Sequence, residues 1–246
     1  MRGLPILLLL VAACRSEPPG AEQQALPSLC VERDFEDSQF FVCDPSGGEI
    51  RLVAAAAGEK PVRSFSELQS QLNPDAVAFA MNAGMFGEDG RPIGLAIVDG
   101  TEVRAINTRK GGGNFHLMPN GIFLVQDDGR AQVVSTDQFE PAVDIKYATQ
   151  SGPMLVINGD LHPKFEPDGE SRHIRNAVGV KNGIALFVIS RGPVSFGKLA
   201  RFFRDDLKTP NALYFDGSVS SLWDPADNRQ DSHSPLGPMV VVLRPR

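Results

Sequence analysis

The sequence predicts a single α+β domain built on a mixed, mainly antiparallel sheet with few helices. Three observations carry this: short β-rich apolar runs recur along most of the chain, tight-turn dipeptides stand between several of them, and only two segments have helical signals. The runs are Ile50 to Ala55, Ala76 to Met81, Leu95 to Val98, Val103 to Ile106, Ile122 to Val125, Gln132 to Val134, Met154 to Ile157, Ala177 to Val180, Ile184 to Ile189, Ala212 to Phe215 and Met239 to Leu243. Asp99-Gly100, Asp128-Gly129, Asn158-Gly159 and Asn182-Gly183 separate neighbouring runs, and such dipeptides accept the positive φ of hairpin turns.

The first helix is predicted to open at Ser64-Phe65-Ser66-Glu67, where Ser64 can cap and Glu67 can reach back, and to close before Pro74. The second starts at Ser195. Phe196, Leu199, Ala200, Phe203 and Leu207 share one helical face, with Lys198, Arg201, Arg204 and Asp205 elsewhere, and the helix ends near Thr209-Pro210. The order strand, helix, strand from Ile184 to Phe215 permits one right-handed crossover joining two parallel strands.

Ahead of this domain, residues 1–13 have the charged, apolar and small-residue order of a secretory leader. The apolar run is too short to span a bilayer, which needs about 20 such residues. Val11-Ala12-Ala13-Cys14 resembles a bacterial lipobox, in which Cys14 is lipidated; ordinary signal cleavage is the other reading. Residues 14–28 read as the lipidated cysteine and a flexible tether, rich in Pro, Glu and Gln. A tether of about 14 extended residues reaches at most about 50 Å. Residues 29–246 then form one domain of about 220 residues, and the expected location is the cell envelope. A net charge of −6 without a basic run argues against nucleic acid and against electrostatic binding to anionic lipid. Of three cysteines, Cys30 and Cys43 remain as a pair in an oxidising compartment, and a disulfide is expected, with two buried thiols as the alternative.

Three strands end alike. Ala76 to Met81 runs into Asn82-Ala83-Gly84, Tyr147 to Thr149 into Gln150-Ser151-Gly152-Pro153, and Ala212 to Phe215 into Asp216-Gly217-Ser218. Each places an amide or carboxylate beside a glycine that lets the backbone turn or approach a ligand closely. Each is also ordinary turn chemistry when taken singly. Ser171-Arg172-His173-Ile174-Arg175-Asn176 adds three potential cations beside a strand, and arginine is suited to phosphate or carboxylate. Thr108 to Asn114 is a glycine-rich loop with two more cations, read as a ligand-closing flap or a plain flexible loop. It is not a nucleotide loop, because no Gly-Lys-Ser/Thr follows and Phe115-His116-Leu117 looks extended.

Other chemistries lack their patterns. The four histidines, His116, His162, His173 and His233, show no metal-ligand spacing, so no metal site and no cofactor are predicted, and a divalent ion is left open. Ser195-Phe196-Gly197-Lys198 matches Ser-x-x-Lys without the companion motifs of penicillin-binding enzymes, and Ser195 is read as a helix cap. Asp224, Asp227, Asn228 and Asp231 lack the spacing of a Ca²⁺ loop and read as a solvated loop.

MNAGMF (81–86), NGIF (120–123), ATQSGPML (148–155), SRHIRNAVGV (171–180) and ALYFDGSVSSL (212–222) together resemble the bacterial branch of the phosphodiester glycosidase family, which includes the lysosomal mannose 6-phosphate uncovering enzyme. The resemblance runs from about Ile50 to Leu243 and implies hydrolysis of the sugar-to-phosphate bond of a sugar 1-phosphodiester. Asn82 and Gly84 match the family's Asn-Gly strand end, Arg175 and Gly179 its Arg-x-x-x-Gly element, and Asp216 with Gly217 its Asp-Gly-Gly turn, from which Ser218 departs. The implied roles are Asp216 as nucleophile or base and Arg175 on the phosphate, both catalytic. Asn82, Gly84, Gln150, Ser151, Arg172, His173, Gly217 and Ser218 would bind substrate. One carboxylate plus an arginine suits a phosphate leaving group, which departs as an anion without the second acid that ordinary glycosides need. The partners implied are a sugar phosphodiester or envelope glycan and, through Cys14, a membrane. The alternative function is a non-catalytic glycan-binding or envelope-scaffold lipoprotein. For either, Asp216, Arg175, Asn82 and Gln150 are expected to line one cleft.

Overall fold

The computed structural model describes residues 26–45 and 47–245; the leader, Cys14 and most of the tether lie outside the described residues. In chain order the elements are β1 (Cys30–Phe35), β2 (Ser38–Cys43), β3 (Glu49–Val53), α1 (Phe65–Gln69), β4 (Val77–Asn82), β5 (Ala96–Val98), β6 (Thr101–Arg104), β7 (Gly121–Gln126) and β8 (Ala131–Ser135). There follow β9 (Ile145–Ser151), β10 (Met154–Ile157), β11 (Asp160–Leu161), β12 (Asn176–Lys181), β13 (Ile184–Ser190), α2 (Phe196–Arg201), β14 (Asn211–Tyr214), β15 (Leu222–Asp224), β16 (Arg229–Gln230) and β17 (Met239–Leu243).

The strands form three sheets: β1-β2-β13-β12-β14-β10-β11, β16-β15-β4-β17-β3 and β6-β5-β9-β7-β8. The molecule is mostly antiparallel sheet with few helices, closer to all-β than to an even α+β mixture. The two parallel strands expected on either side of the second helix are found, without a parallel ladder between them. β13 and β14 do run the same way on either side of α2, but β12 lies between them and pairs antiparallel with both.

Local chemistry accounts for the hairpins. Asp99-Gly100, Asn158-Gly159 and Asn182-Gly183 have positive φ at both residues, the mark of a two-residue turn matched to strand twist. At Asp128-Gly129 only the glycine is left-handed, and its amide donates to the Gln126 carbonyl in a longer loop. Cys30 and Cys43 lie opposite one another in the β1–β2 hairpin and are disulfide-bonded. No strand is predicted there, because β1 is a polar edge strand with one buried residue followed by four exposed ones.

α1 is capped by Ser64 Oγ, which accepts from the Glu67 amide at 3.1 Å, while the Glu67 carboxylate accepts from the Arg63 amide at 2.6 Å. Ser195 caps α2 through the Lys198 amide at 3.1 Å, so it is a cap and not a nucleophile beside a lysine base. After Arg201 the helix widens into a π turn over Phe202–Asp206. α2 packs on the face of the first sheet that carries Phe40, Val42, Ala177, Val188 and Tyr214. Gly179 permits that approach, since a Cβ there would sit 2.6 Å from the Phe203 ring. The three sheets meet on their inner faces, where the Phe187 ring lies edge-on to Phe79 of β4 and Phe123 of β7, and Phe123 to Phe215. β4 is buried along its whole length, which is why it reads as a continuous apolar run.

Candidate active site

The three strand ends singled out in the sequence do converge. The Asp216 amide donates to the Ala83 carbonyl at 3.1 Å, and the Tyr214 amide to the Pro153 carbonyl at 3.1 Å. Gly84 closes the third side: a Cβ there would lie against the Thr149 hydroxyl and 2.6 Å from the Gln150 carbonyl. The long-range pairing of β4, β14 and the β9–β10 corner thus gathers residues more than sixty positions apart into one rim.

Asp216 stands at the centre of that rim, half-buried, and its Oδ1 accepts from the Ser218 amide at 3.1 Å, capping the short 3₁₀ turn Gly217–Val219. Burial pushes its carboxyl above the ordinary carboxylate range, and hydrogen bonds from Ser218 pull only partly back. Gly217 is required by contact. A Cβ on it would overlap the Tyr214 hydroxyl.

Asn82 is brought to Asp216, but as a strut. Its Nδ2 donates to the Asp216 carbonyl at 2.7 Å, and its Oδ1 accepts from the Ser221 amide at 2.9 Å and from Asn176 Nδ2 at 3.0 Å. Asn176 in turn donates to the Asn82 carbonyl at 2.8 Å and accepts from Ser220 Oγ at 3.1 Å. The Asn82 side chain is 1% exposed, so its amide is spent on holding the 216–221 turn and not offered to a sugar.

Arg175 is also 1% exposed. Its Nε donates to the Val194 carbonyl at 2.9 Å, Nη1 to the Tyr214 hydroxyl at 3.0 Å, and Nη2 to the Ser171 carbonyl and hydroxyl at 3.0 and 3.2 Å. The guanidinium lies 3.6 Å from the centre of the Phe196 ring, which Phe165 and then His162 extend into a stack. All these partners are neutral, so the structure holds a buried cation with no carboxylate paired to it among the described residues. Burial works against the charge, and Tyr214 partly offsets this.

Gln150 corrects the expectation of a single cleft. Side chains alternate along a strand, and Thr149 is the one turned to Gly84. Gln150 points the other way, where Oε1 accepts from the Leu95 and Asn107 amides at 2.9 Å each and Nε2 donates to the Asn107 carbonyl at 2.9 Å and to Thr136 Oγ1 at 3.2 Å. Its capacity is used up in pinning the segment that leads into the glycine-rich loop. Thr149 and Ser151, by contrast, are buried hydroxyls with no hydrogen-bond partner among the described residues.

Ser218, Arg172 and His173 are exposed. The segment that carries the last two borders the Asp216 turn, because Ser220 Oγ donates to the Ile174 carbonyl at 3.0 Å. Phe115, expected to be extended, is in a 3₁₀ turn (Asn114–His116) because its buried ring anchors the glycine-rich loop. Asp224 is not in a solvated loop. It is buried in β15, with a carboxylate that accepts from Ser28 Oγ at 2.5 Å and from the Ala226 amide at 3.1 Å. Among the described residues no three His, Cys, Asp or Glu side chains cluster as a metal site. Open surface grooves occur elsewhere, one lined by Gln126, Arg130, Gln132 and Asn211 and another by Asp34, Asp37, Gln39 and Arg191. Asp216 lines neither. The residues missed in the sequence are Tyr214, Asn176, Thr149 and Ser220; a polar residue opening an otherwise apolar strand is the signal that marks Asn176.

Fold and site together define a three-sheet β protein with one carboxylate at a strand-end turn and a buried arginine bonded to the tyrosine that borders that turn. The chain belongs to the phosphodiester glycosidase family, whose model matches residues 75–243. It is 33% identical over 187 residues to the Escherichia coli (strain K12) protein YigE, described as uncharacterised, covering 75% of this chain and 73% of that one. Among solved structures it is similar to the catalytic domain of zebrafish N-acetylglucosamine-1-phosphodiester alpha-N-acetylglucosaminidase, auto-inhibited by its pro-peptide. That match has a TM-score of 0.63 and 16% identity, covering 92% of this chain and 85% of the other. A hypothetical protein from Synechocystis matches with a TM-score of 0.53 and 16% identity, over 88% of this chain and 61% of that one. At such identities these structures speak for the fold alone.

Proposed function

We propose that this chain is an exported glycosidase that hydrolyses the sugar-to-phosphate bond of a sugar 1-phosphodiester. The observation that carries the reading is the turn that holds Asp216, with its raised carboxyl, and packs at Gly217 against Tyr214, whose hydroxyl accepts from a buried Arg175 that has no acidic partner among the described residues. Asp216 acts at the anomeric carbon as nucleophile, or as base toward water. The C1–O bond breaks, the bonding pair leaves on the phosphate oxygen, and water supplies the new anomeric hydroxyl. Positive charge held behind the phosphate stabilises the developing anion, which departs without a strong general acid. Gly217, Ser218, Ser151 and Thr149 supply close backbone approach and hydroxyls around the sugar, and Arg172 and His173 face the outer part of the substrate. The leader and Cys14 support export and lipid anchoring in a bacterial envelope, with envelope glycans as the accessible substrates.

The test is incubation with a sugar 1-phosphodiester such as UDP-N-acetylglucosamine, scoring free sugar beside an Asp216→Asn control. Free sugar from the wild type alone supports the reading; equal turnover by Asp216→Asn removes Asp216 from it. Engagement of Asn82 and Gln150 inside the protein favours a second reading, a glycan-binding lipoprotein that keeps the pocket without the reaction. Saturable binding of the same compound with no sugar released on prolonged incubation would select it.

A further inference from the structure

Only two tyrosines occur in the chain, and their hydroxyls are treated differently. Tyr147, also buried, donates to Asp99 Oδ1 at 2.5 Å, an ordinary solution for a phenol in a core. Tyr214, 1% exposed, receives the Arg175 Nη1 hydrogen at 3.0 Å, and no acceptor for its own hydrogen lies within reach among the described residues. A guanidinium has five N–H groups, of which Nη1 carries two. One Nη1 hydrogen goes to Tyr214, and the other has no protein acceptor among the described residues. Two unplaced donors, a phenol O–H and a cationic N–H, therefore sit on one contact. Buried donors without acceptors are costly, and this pair is next to the Asp216–Gly217 turn.

Building on the proposed function, we infer that Tyr214 is a further substrate-contacting residue, whose phenol hydrogen bonds an anionic phosphate oxygen while Arg175 supports it from behind. The direction of the Arg175 bond matters. A phenol that accepts from a cation becomes a stronger donor, so the buried positive charge reaches the ligand through the tyrosine oxygen. The other edge of the guanidinium is closed by the two Ser171 oxygens, and its face by Phe196. The remaining side of the hydroxyl meets the backbone of Gly217, packed so close that any Cβ there would overlap the phenol oxygen. The ligand chemistry is a phosphate monoanion or diester, and the sugar lies toward Asp216.

The experiment is NMR of protein labelled with ¹³Cζ-tyrosine, its two signals assigned with a Tyr147→Phe variant. It is titrated with glucose 1-phosphate and with UDP-N-acetylglucosamine, with calorimetric affinities for wild type and Tyr214→Phe in parallel. The expected result is a saturable shift of the Tyr214 signal, no shift of Tyr147, and about 10- to 100-fold weaker binding by Tyr214→Phe. The labelled wild-type protein gives the answer even if Tyr214→Phe folds poorly. Binding of either probe with Tyr214 unmoved would overturn the inference and leave the glycosidase reading standing. Absence of binding by both probes would overturn the two together.

Discussion

Replacing Asn82 with alanine tests whether this residue holds the site or touches the substrate. The substitution removes the partners of two buried backbone groups, the Asp216 carbonyl at 2.7 Å and the Ser221 amide at 2.9 Å. Asn176 is less affected, because its Nδ2 still reaches the Asn82 carbonyl at 2.8 Å and its Oδ1 still accepts from Ser220. Each orphaned group costs about 1–3 kcal/mol, so the loss is about 4 kcal/mol. That is a large part of the 5–15 kcal/mol that stabilises a typical protein. At about 2–4 °C per kcal/mol for a chain of this size, Tm falls by about 12 °C. Urea titration and thermal unfolding followed by circular dichroism measure it. Asn82→Asp keeps one acceptor but turns an oxygen toward the Asp216 carbonyl, so it does not rescue. A loss below about 1 kcal/mol, with substrate affinity reduced, would refute the argument and return Asn82 to the role of a sugar ligand.

Asp216→Asn retains the cap on Ser218 and is expected to fold while losing about a thousandfold or more in turnover, read as sugar release per folded molecule. Because the folded-state carboxyl is raised above 3.8, the folded chain holds a proton that the unfolded chain has already released. Its stabilising contribution is therefore present at low pH and lost as pH rises through the raised value, and Asp216→Asn flattens that slope in denaturant titrations across pH. Turnover that needs the ionised form has its acid limb displaced upward from 3.8, visible in the pH–rate profile. Gln150→Leu strands the Leu95 and Asn107 amides and is expected to cost about 4 kcal/mol in thermal unfolding, with no change in KM for the molecules that remain folded. Reducing the Cys30–Cys43 bridge, whose cysteines are 13 residues apart, releases a loop worth about 3 kcal/mol in chain entropy, and unfolding with and without dithiothreitol reports it.

Much of the rim was legible, for different reasons in each part. Asn82-Ala83-Gly84, Ser151-Gly152 and Asp216-Gly217 announce themselves because an apolar strand that stops at a polar residue and a glycine is visible in a short window. The three ends meet through the Asp216–Ala83 and Tyr214–Pro153 bonds, but the single cleft expected of Asp216, Arg175, Asn82 and Gln150 does not follow from that meeting, because Gln150 turns away. The employment of each side chain was not legible. Asn82 finds its partners 94 and 134 positions away, and Gln150 finds Asn107 43 positions away. No local pattern distinguishes an amide that meets another strand from one that faces a ligand. Tyr214 was hidden for a related reason: within Ala212 to Phe215 an aromatic residue reads as core, and most of its ring is core, against Phe196 at 4.7 Å.

The sequence by itself determined the hairpin turns, both helix starts and the carboxylate–glycine turn at Asp216, because backbone torsions, capping and strand termination depend on residues a few positions apart. Only the tertiary structure decided that β12 separates β13 from β14, that Asn82 and Gln150 are structural, and that Arg175 is a buried cation with no acidic partner among the described residues, lying against Tyr214. Those outcomes depend on which distant groups pack together, since a buried polar group takes whichever partner the fold brings within about 3 Å.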